Sequence, residues 1–175
     1  RCRKEIGGRI LLRPQQHYAA ATVADFCTAA LTEFLRSLEG QYAGKGQVRL
    51  RTDKDPINVT CSFQSKATPA SFSLNGKCRA LVLVSRAVGA ELVRSGNSYR
   101  GSYIGGGSGP ARLTGKRNGN TLNLTINWAK KINGDRRAQL SVAKTDPHGL
   151  ILTTTDRDPK SGKPVITSKI VLQRK

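Results

Sequence analysis

From Gln41 to the C-terminus, the chain is a series of short segments in which apolar and polar residues alternate, divided by glycine-containing turns. The clearest segment is TLNLTINW at 121–128, where Leu122, Leu124 and Ile126 share one face. Alternation with a period of two is the pattern of a β-strand with one buried face. The pattern predicts a mainly β protein built from antiparallel hairpins.

Consecutive turn signals predict how these strands are joined. Asn118-Gly119 and Asn133-Gly134 each stand between two alternating segments, as such pairs do in tight β-hairpins. Since each turn leads directly into the next strand, the order favours an up-and-down meander over a Greek key. A meander of about eight to ten strands over 41–174 gains from closing on itself, because closure removes its unpaired edges. We therefore predict a small antiparallel barrel.

Three segments are less regular. Residues 80–93 begin with a continuous apolar run, which suits either a buried strand or a helix. Asn75-Gly76 follows the short strand pattern SFSL and is a turn or bulge signal. The run GGGSGP at 105–110 lacks the lysine and the Ser/Thr of a phosphate-binding loop, and we interpret it as a hairpin loop.

One segment predicts a helix. Between residues 22 and 39 apolar side chains recur at the i, i+3, i+4, i+7 spacing of a single stripe that faces a core. Thr22 can cap the first turn, and Gly40 suits the left-handed conformation that ends many helices. We expect this helix to pack against the barrel or to plug one end of it. The stripe consists of Val23, Phe26, Cys27, Ala30, Leu31, Phe34, Leu35 and Leu38.

The 175 residues fit a single domain. Residues 1–20 combine basic residues with an alanine-rich stretch, but Arg9 and Arg13 interrupt the apolar run that a signal sequence needs. We interpret 1–20 as a leader remnant or a disordered tail, and 21–175 as one domain formed by the helix and the barrel. No segment approaches the roughly 18 consecutive apolar residues of a membrane-spanning helix.

The cysteines bear on the compartment. Cys61 and Cys78 lie in neighbouring strand-like segments, and antiparallel pairing could bring their thiols within bonding distance. The alternative is two buried free thiols. A disulfide here would stabilise the fold by roughly 3 kcal/mol on the chain-entropy estimate and would indicate an oxidising compartment, periplasmic or extracellular. Cys27 lies on the apolar helix face, and the pairing of Cys2 stays open. The absence of a C-x-x-C arrangement argues against a structural zinc site.

The chain is strongly basic, with 30 Lys and Arg against 11 Asp and Glu and a net charge of +19. Such a charge favours anionic partners, although a basic solvated surface is the simpler interpretation. One group of basic residues flanks consecutive hairpins and could share a rim or face. Tyr99, Tyr103 and Trp128 lie near it in sequence, which makes a surface for stacking nucleic-acid bases conceivable, but Trp128 ends an apolar face and is expected in the core. The basic group is Arg112, Lys116, Arg117, Lys130, Lys131, Arg136 and Arg137.

The sequence offers no catalytic set. His17 lies in the predicted tail and His148 in a turn, so neither has an evident base or orienting partner. Asp156 and Asp158 are interpreted as turn residues. We therefore predict a protein that is not an enzyme and uses no cofactor or metal. A buried carboxylate or histidine facing a cavity is the one feature that would point back to catalysis.

The junction between helix and first strand resembles a known family. Residues 34–46, FLRSLEGQYAGKG, run from a helix into aromatic-x-Gly-x-Gly at the first strand. This is similar to the opening of calycin-type barrels, the lipocalin-like and fatty-acid-binding-like group. There the aromatic, usually tryptophan, plugs one barrel end, and here that position is Tyr42. The resemblance continues through the meander to a last strand that ends in Arg174, and it extends to small secreted bacterial barrel proteins with a strand-to-strand cysteine pair. It implies a ligand-holding cup without conserved chemistry.

Two functions follow as expectations. The first is a non-enzymatic periplasmic or secreted barrel that binds a small apolar ligand or an anionic component of the cell envelope. The second is electrostatic binding of nucleic acid or another polyanion through the basic surface, which would weaken steeply with salt. The choice depends on whether the barrel interior is hollow or filled by side chains, which the sequence leaves open.

Overall fold

The computed structural model describes residues 33–80, 84–145 and 147–175. In these ranges ten antiparallel strands follow one another, each hydrogen-bonded to the next, and β1 also pairs with β10 to close a barrel. The predicted closed meander is confirmed. The strands are β1 (Gly40–Val48), β2 (Ile57–Ala67), β3 (Ser71–Ala80), β4 (Val84–Ser95), β5 (Ser98–Ile104), β6 (Ala111–Asn118), β7 (Thr121–Ile132), β8 (Asp135–Thr145), β9 (Gly149–Arg157) and β10 (Pro164–Arg174).

The up-and-down order gives the barrel two different ends. The helix end carries the helical residues 33–37 together with the β2–β3, β4–β5, β6–β7 and β8–β9 turns. The loop end carries the other connections, several of which are longer. Those described at the loop end are 49–56, 105–110, 133–134 and 158–163.

The helix end is closed by packing. Residues 33–37 are helical, and Phe34, Leu35 and Leu38 are buried against the barrel core. The guanidinium carbon of Arg117 lies 3.9 Å from the centre of the Phe34 ring, a cation–π contact that fixes the helix to β6. The expected plug is therefore present at one end of the barrel. The rest of the predicted helix, 22–32, the predicted tail 1–20 and the cysteines Cys2 and Cys27 lie outside the described residues.

One ambiguity is resolved and two local expectations need correction. The ambiguous segment 80–93 is strand wherever it is described, since β3 ends at Ala80 and β4 begins at Val84. Asn75-Gly76 does not form a turn, because both residues lie inside β3 and pair with β2 and β4. Gly40 does not end the helix in the left-handed α conformation. Its φ of 149° belongs to the first residue of β1, and the side chain of Arg174 occupies the space that a Cβ would need.

Glycines inside the strands let the barrel curve. A Cβ added to Gly101 would overlap the carbonyl oxygen of Glu91 on β4, and one added to Gly44 would overlap the carbonyl oxygen of Val171 on β10. Glycine at such points allows a sheet to bend sharply enough to close. Gly76 meets the backbone of Ser62 in the same way, so the Asn75-Gly76 signal marks a bend in a continuous strand.

The predicted disulfide is confirmed. Cys61 on β2 and Cys78 on β3 are directly opposite each other and are joined by a disulfide, with a Cα–Cα distance of 4.1 Å. Both side chains are buried on the inner face of the sheet. The bond closes a loop of 17 residues and fixes the register of one hairpin.

We expect Gly101→Ala to lower the free energy of unfolding by about 1–3 kcal/mol, because the added methyl group must displace the β4 backbone. Urea denaturation followed by circular dichroism measures the change. Ser102→Ala, at the neighbouring exposed position, is the matched control and should stay within about 0.5 kcal/mol of the wild type. Equal stability of the two variants would contradict the assigned role of Gly101.

Removal of the disulfide by Cys61→Ala together with Cys78→Ala should lower the free energy of unfolding by roughly 3 kcal/mol, because the unfolded chain gains the entropy of the opened loop. Reductant should bring the wild type close to the double variant in the same titration. A double variant that responds to reductant as strongly as the wild type would show that another bond carries the stabilisation.

Candidate ligand-binding site

The interior of the barrel differs between its two ends. Near the helix end and in the middle, inward-facing side chains such as Leu122, Leu124 and Leu172 have almost no exposed surface. At the loop end Val88 and Tyr103 also face inward by their position in the strand alternation, but they remain only partly buried. The side chains are therefore packed less tightly at the loop end than at the helix end. Val48 and Ala80, which also lie at the loop end, are likewise only partly buried.

A carboxylate lies inside the barrel near this end. Asp156 is on the inner face of β9, in line with Leu150, Leu152 and Thr154, and only 5% of its surface is exposed. Its Oδ2 atom accepts hydrogen bonds from Thr167 Oγ1 at 3.0 Å and from Asn133 Nδ2 at 3.2 Å. Its Oδ1 atom has no hydrogen-bond partner among the described residues. A buried carboxylate oxygen without a donor is costly, so this atom is suited to receive one from a bound molecule.

Two aromatic side chains face inward toward the same end of the barrel. Tyr103 and Trp128 pack edge to face, with ring centres 5.7 Å apart. Trp128 is 6% exposed, as expected for the core, and in the described part of the chain its indole Nε1 has no acceptor. The loop end therefore combines apolar walls with an available acceptor and an available donor. Tyr103, Trp128, Asn133, Asp156 and Thr167 together are called the polar cluster below.

The local backbone explains how these groups meet. A bulge between Ile166 and Ser168 interrupts the β9–β10 pairing and places Thr167 inside the barrel, within hydrogen-bond distance of Asp156. Asn133 has a φ of 51° in the tight β7–β8 turn, a conformation that asparagine tolerates better than most residues. Its Oδ1 accepts a hydrogen bond from Thr52 N at 3.3 Å, so the β1–β2 loop is tied to the cluster.

The environment shifts the pKa values of the two ionisable members. Burial raises the pKa of the Asp156 carboxyl above its ordinary value of 3.8; the hydrogen bonds from Thr167 and Asn133 oppose this, and the charge of Asp135 adds to it. Burial raises the pKa of Tyr103 to about 12, and the charge of Asp156 acts in the same direction. Burial is thus the main cause of both shifts.

Asp156 was expected in a turn, and that interpretation is wrong. Asp158 does have the turn role, since its Oδ2 accepts hydrogen bonds from Ser161 N at 2.8 Å and Ser161 Oγ at 2.7 Å. Asp156 continues the inward alternation of β9. The signal was present in the sequence, because GLILTTTD puts Leu150, Leu152 and Asp156 on one face of a strand.

The predicted basic group does not form one surface. Arg112, Asn127 and Arg137 are register neighbours on β6, β7 and β8. Arg112, Arg136 and Arg137 border a shallow groove of about 430 Å³ on the outer wall. Lys130 and Lys131 are exposed near the end of β7, close to the loop end. Lys116 pairs with Ser98 and Asn123 toward the helix end. Arg117 also lies at the helix end, where it donates to the Gly119 carbonyl at 2.7 Å beside its contact with Phe34.

Tyr42 lies at the helix end, where the resemblance placed it. It is 2% exposed, and its hydroxyl donates to the Leu38 carbonyl at 3.1 Å. Arg174 at the end of β10 donates to the Tyr42 hydroxyl at 3.0 Å and to the Ser37 carbonyl at 2.7 Å. The first strand, the last strand and the helix are thus joined at one point, on the side of the barrel opposite the polar cluster.

His148 is exposed at the helix end, far from Asp156 along the barrel. Across the ranges 33–80, 84–145 and 147–175, no group of three His, Cys, Asp or Glu side chains is arranged to hold a metal ion. No helix in those ranges is both long and apolar enough to cross a bilayer.

Comparison with known proteins gives a likeness of fold. The crystal structure of Rv2717c from M. tuberculosis matches with a TM-score of 0.64 and 16% sequence identity, over 82% of this chain and 96% of that chain. No protein-family model and no curated protein sequence matches the chain. The shared feature is the barrel, and the calycin-type relationship stays a resemblance.

The raised pKa of Asp156 predicts a specific pH dependence. Because the folded state holds the proton more tightly than the unfolded state, the penalty of the buried charge is present at neutral pH and is relieved as the pH falls through the folded pKa toward 3.8. Asp156→Asn should therefore be more stable relative to the wild type at pH 7 than at pH 4.

The control for this prediction is Asp158→Asn. Hydrogen bonds from Ser161 lower the pKa of Asp158, so its stabilising contribution is present at neutral pH and declines in acid. The stability of Asp158→Asn relative to the wild type should therefore increase as the pH falls, whereas that of Asp156→Asn should decrease. Urea titrations at both pH values measure the two differences, and a pH-independent difference for Asp156→Asn would refute the assignment.

Proposed function

We propose that the protein is a non-enzymatic barrel that binds a small, mainly apolar ligand in its interior, reached through the loop end. The observation that carries this proposal is the presence of two buried polar atoms without a partner among the described residues, Asp156 Oδ1 and Trp128 Nε1, toward the loop end of a mainly apolar interior. Ligand sites in proteins typically combine apolar walls with a few such groups. A barrel of ten strands is also wider than the eight-stranded barrels that side chains can fill.

The buried Asp156 is the kind of feature that would suggest catalysis. Its neighbours are Thr167, Asn133 and Tyr103, which orient a carboxylate or interact with its charge. General acid–base or nucleophilic chemistry needs a second group that exchanges a proton near neutral pH, and a tyrosine with a pKa of about 12 is poorly suited to that task. We therefore assign Asp156 to binding.

We further propose that the protein works in the periplasm or outside the cell. The Cys61–Cys78 disulfide supports this location, because structural disulfides persist in oxidising compartments.

Binding of a polyanion on the outer wall is the second candidate. It is supported by the exposed guanidinium groups of Arg112 on β6 and of Arg136 and Arg137 on β8, which lie on either side of Asn127 on β7. This candidate predicts an affinity that falls steeply with salt, whereas an interior apolar site would be nearly insensitive to it.

The interior site predicts that Val88→Phe weakens ligand binding at least about tenfold, because the larger side chain projects into the opening at the loop end. Val93→Phe is the matched control on the same strand. Val93 is 59% exposed and points outward near the helix end, so this variant should bind normally.

Native mass spectrometry of the purified protein, followed by the denatured mass, identifies any ligand that travels with the chain. Affinity can then be measured by the fluorescence of Trp128, the only tryptophan. If Val93→Phe and Val88→Phe bind equally well, the ligand does not enter at the loop end and the proposal fails.

A further inference from the structure

The candidate site contains a negative charge that the described residues do not neutralise. The ion pair found among them joins Arg51 to Asp53, and no lysine or arginine in those ranges lies within 4.0 Å of the Asp156 carboxylate. The contacts of Asp156 are a threonine hydroxyl and an asparagine amide, both on one oxygen. A desolvated carboxylate with one free oxygen is most strongly stabilised by a cation that also donates a hydrogen bond.

Building on the proposed function, we infer that the ligand is an apolar molecule bearing one protonated amine, which donates to Asp156 Oδ1. The apolar part would pack against the partly buried apolar side chains of the loop end, such as Val48 and Ile132. The ammonium group would stay near the loop end, where Val88 and Tyr103 are partly exposed and solvent can reach it.

The aromatic pair supports an ammonium group over other polar groups. Tyr103 and Trp128 lie at the same end of the barrel with their rings at 65° to each other, so they offer a ring face and a ring edge on neighbouring sides. Tyrosine and tryptophan faces attract ammonium groups, and the attraction grows when water is excluded.

Within the described ranges, the one charged group that shifts the pKa of Asp156 through its charge is also negative. Asp135, at the start of β8, adds negative potential at Asp156, as its effect on the pKa shows. Arg86 lies at the same rim, but its guanidinium is directed toward the 105–110 loop at Gly107. A fatty carboxylate would meet the Asp156 charge at close range, and a neutral alcohol would supply the hydrogen bond without the compensating charge.

The test compares three probes of equal chain length: decylamine, decanol and decanoate. Each is titrated into the full chain at neutral pH and followed by Trp128 fluorescence and by calorimetry. We expect decylamine to bind at least tenfold more tightly than decanol, and decanoate to bind more weakly still. Asp156→Asn should remove the preference for the amine and leave decanol binding within about threefold.

The control variant is Asp55→Asn, which removes the same charge from an exposed position in the 49–56 loop. It should keep the amine preference, which separates contact with Asp156 from the general field of the protein. Val88→Phe should weaken all three probes if they occupy the interior.

The outcomes separate the two claims. If decanol or decanoate binds as tightly as decylamine and Val88→Phe weakens that binding, the interior site stands and the amine inference is overturned. The inference also fails if Asp156→Asn retains the amine preference. If none of the probes binds in a way that Val88→Phe affects, both the inference and the proposed function are refuted.

Discussion

The hydrogen-bonded seam between the first and last strands is the constraint on which the rest of the structure depends. Seven register pairs join β1 to β10, from Tyr42 opposite Arg174 to Val48 opposite Ser168. Without this seam both strands would be open edges, and the apolar interior could not be separated from solvent. Gly44 and Gly46 permit the seam, because a Cβ at either position would overlap the backbone of β10. The closure thus requires small residues as much as it requires pairing.

Closure produces an interior whose two ends are built differently. At the helix end, Arg174 joins Tyr42 to Ser37, and Arg117 covers Phe34, so polar and cationic groups seal the apolar core. At the loop end, irregular features hold the polar cluster: a bulge at Thr167 and a left-handed turn residue at Asn133. Stability is thus concentrated where packing is regular, while groups capable of recognition are found where regularity breaks.

The sequence predicted the fold well because the fold depends on local, periodic signals. The alternation of apolar and polar residues predicted the strands, and Asn118-Gly119 and Asn133-Gly134 predicted two of the turns. Both kinds of signal depend only on residues close together in the chain. Asn75-Gly76 misled because the same dipeptide also suits a sharply bent strand, and only the partner backbone distinguishes the two. Asp156 was missed although its alternation was readable, because its meaning comes from Thr167 and Asn133, which the chain brings together only in three dimensions.

The position of the C-terminal residue has a consequence for how the molecule can be attached. Lys175 donates a backbone hydrogen bond to Gln41, next to the helical residues 33–37. The start of β1 and the end of β10, which are the two flanks of the barrel, therefore both lie at the sealed end. A tether at either flank, whether a neighbouring domain, a fusion partner or a solid support, would hold the opposite end outward. The barrel is thus oriented by its own connectivity, and anchoring it by its ends would leave the loop side facing the surroundings.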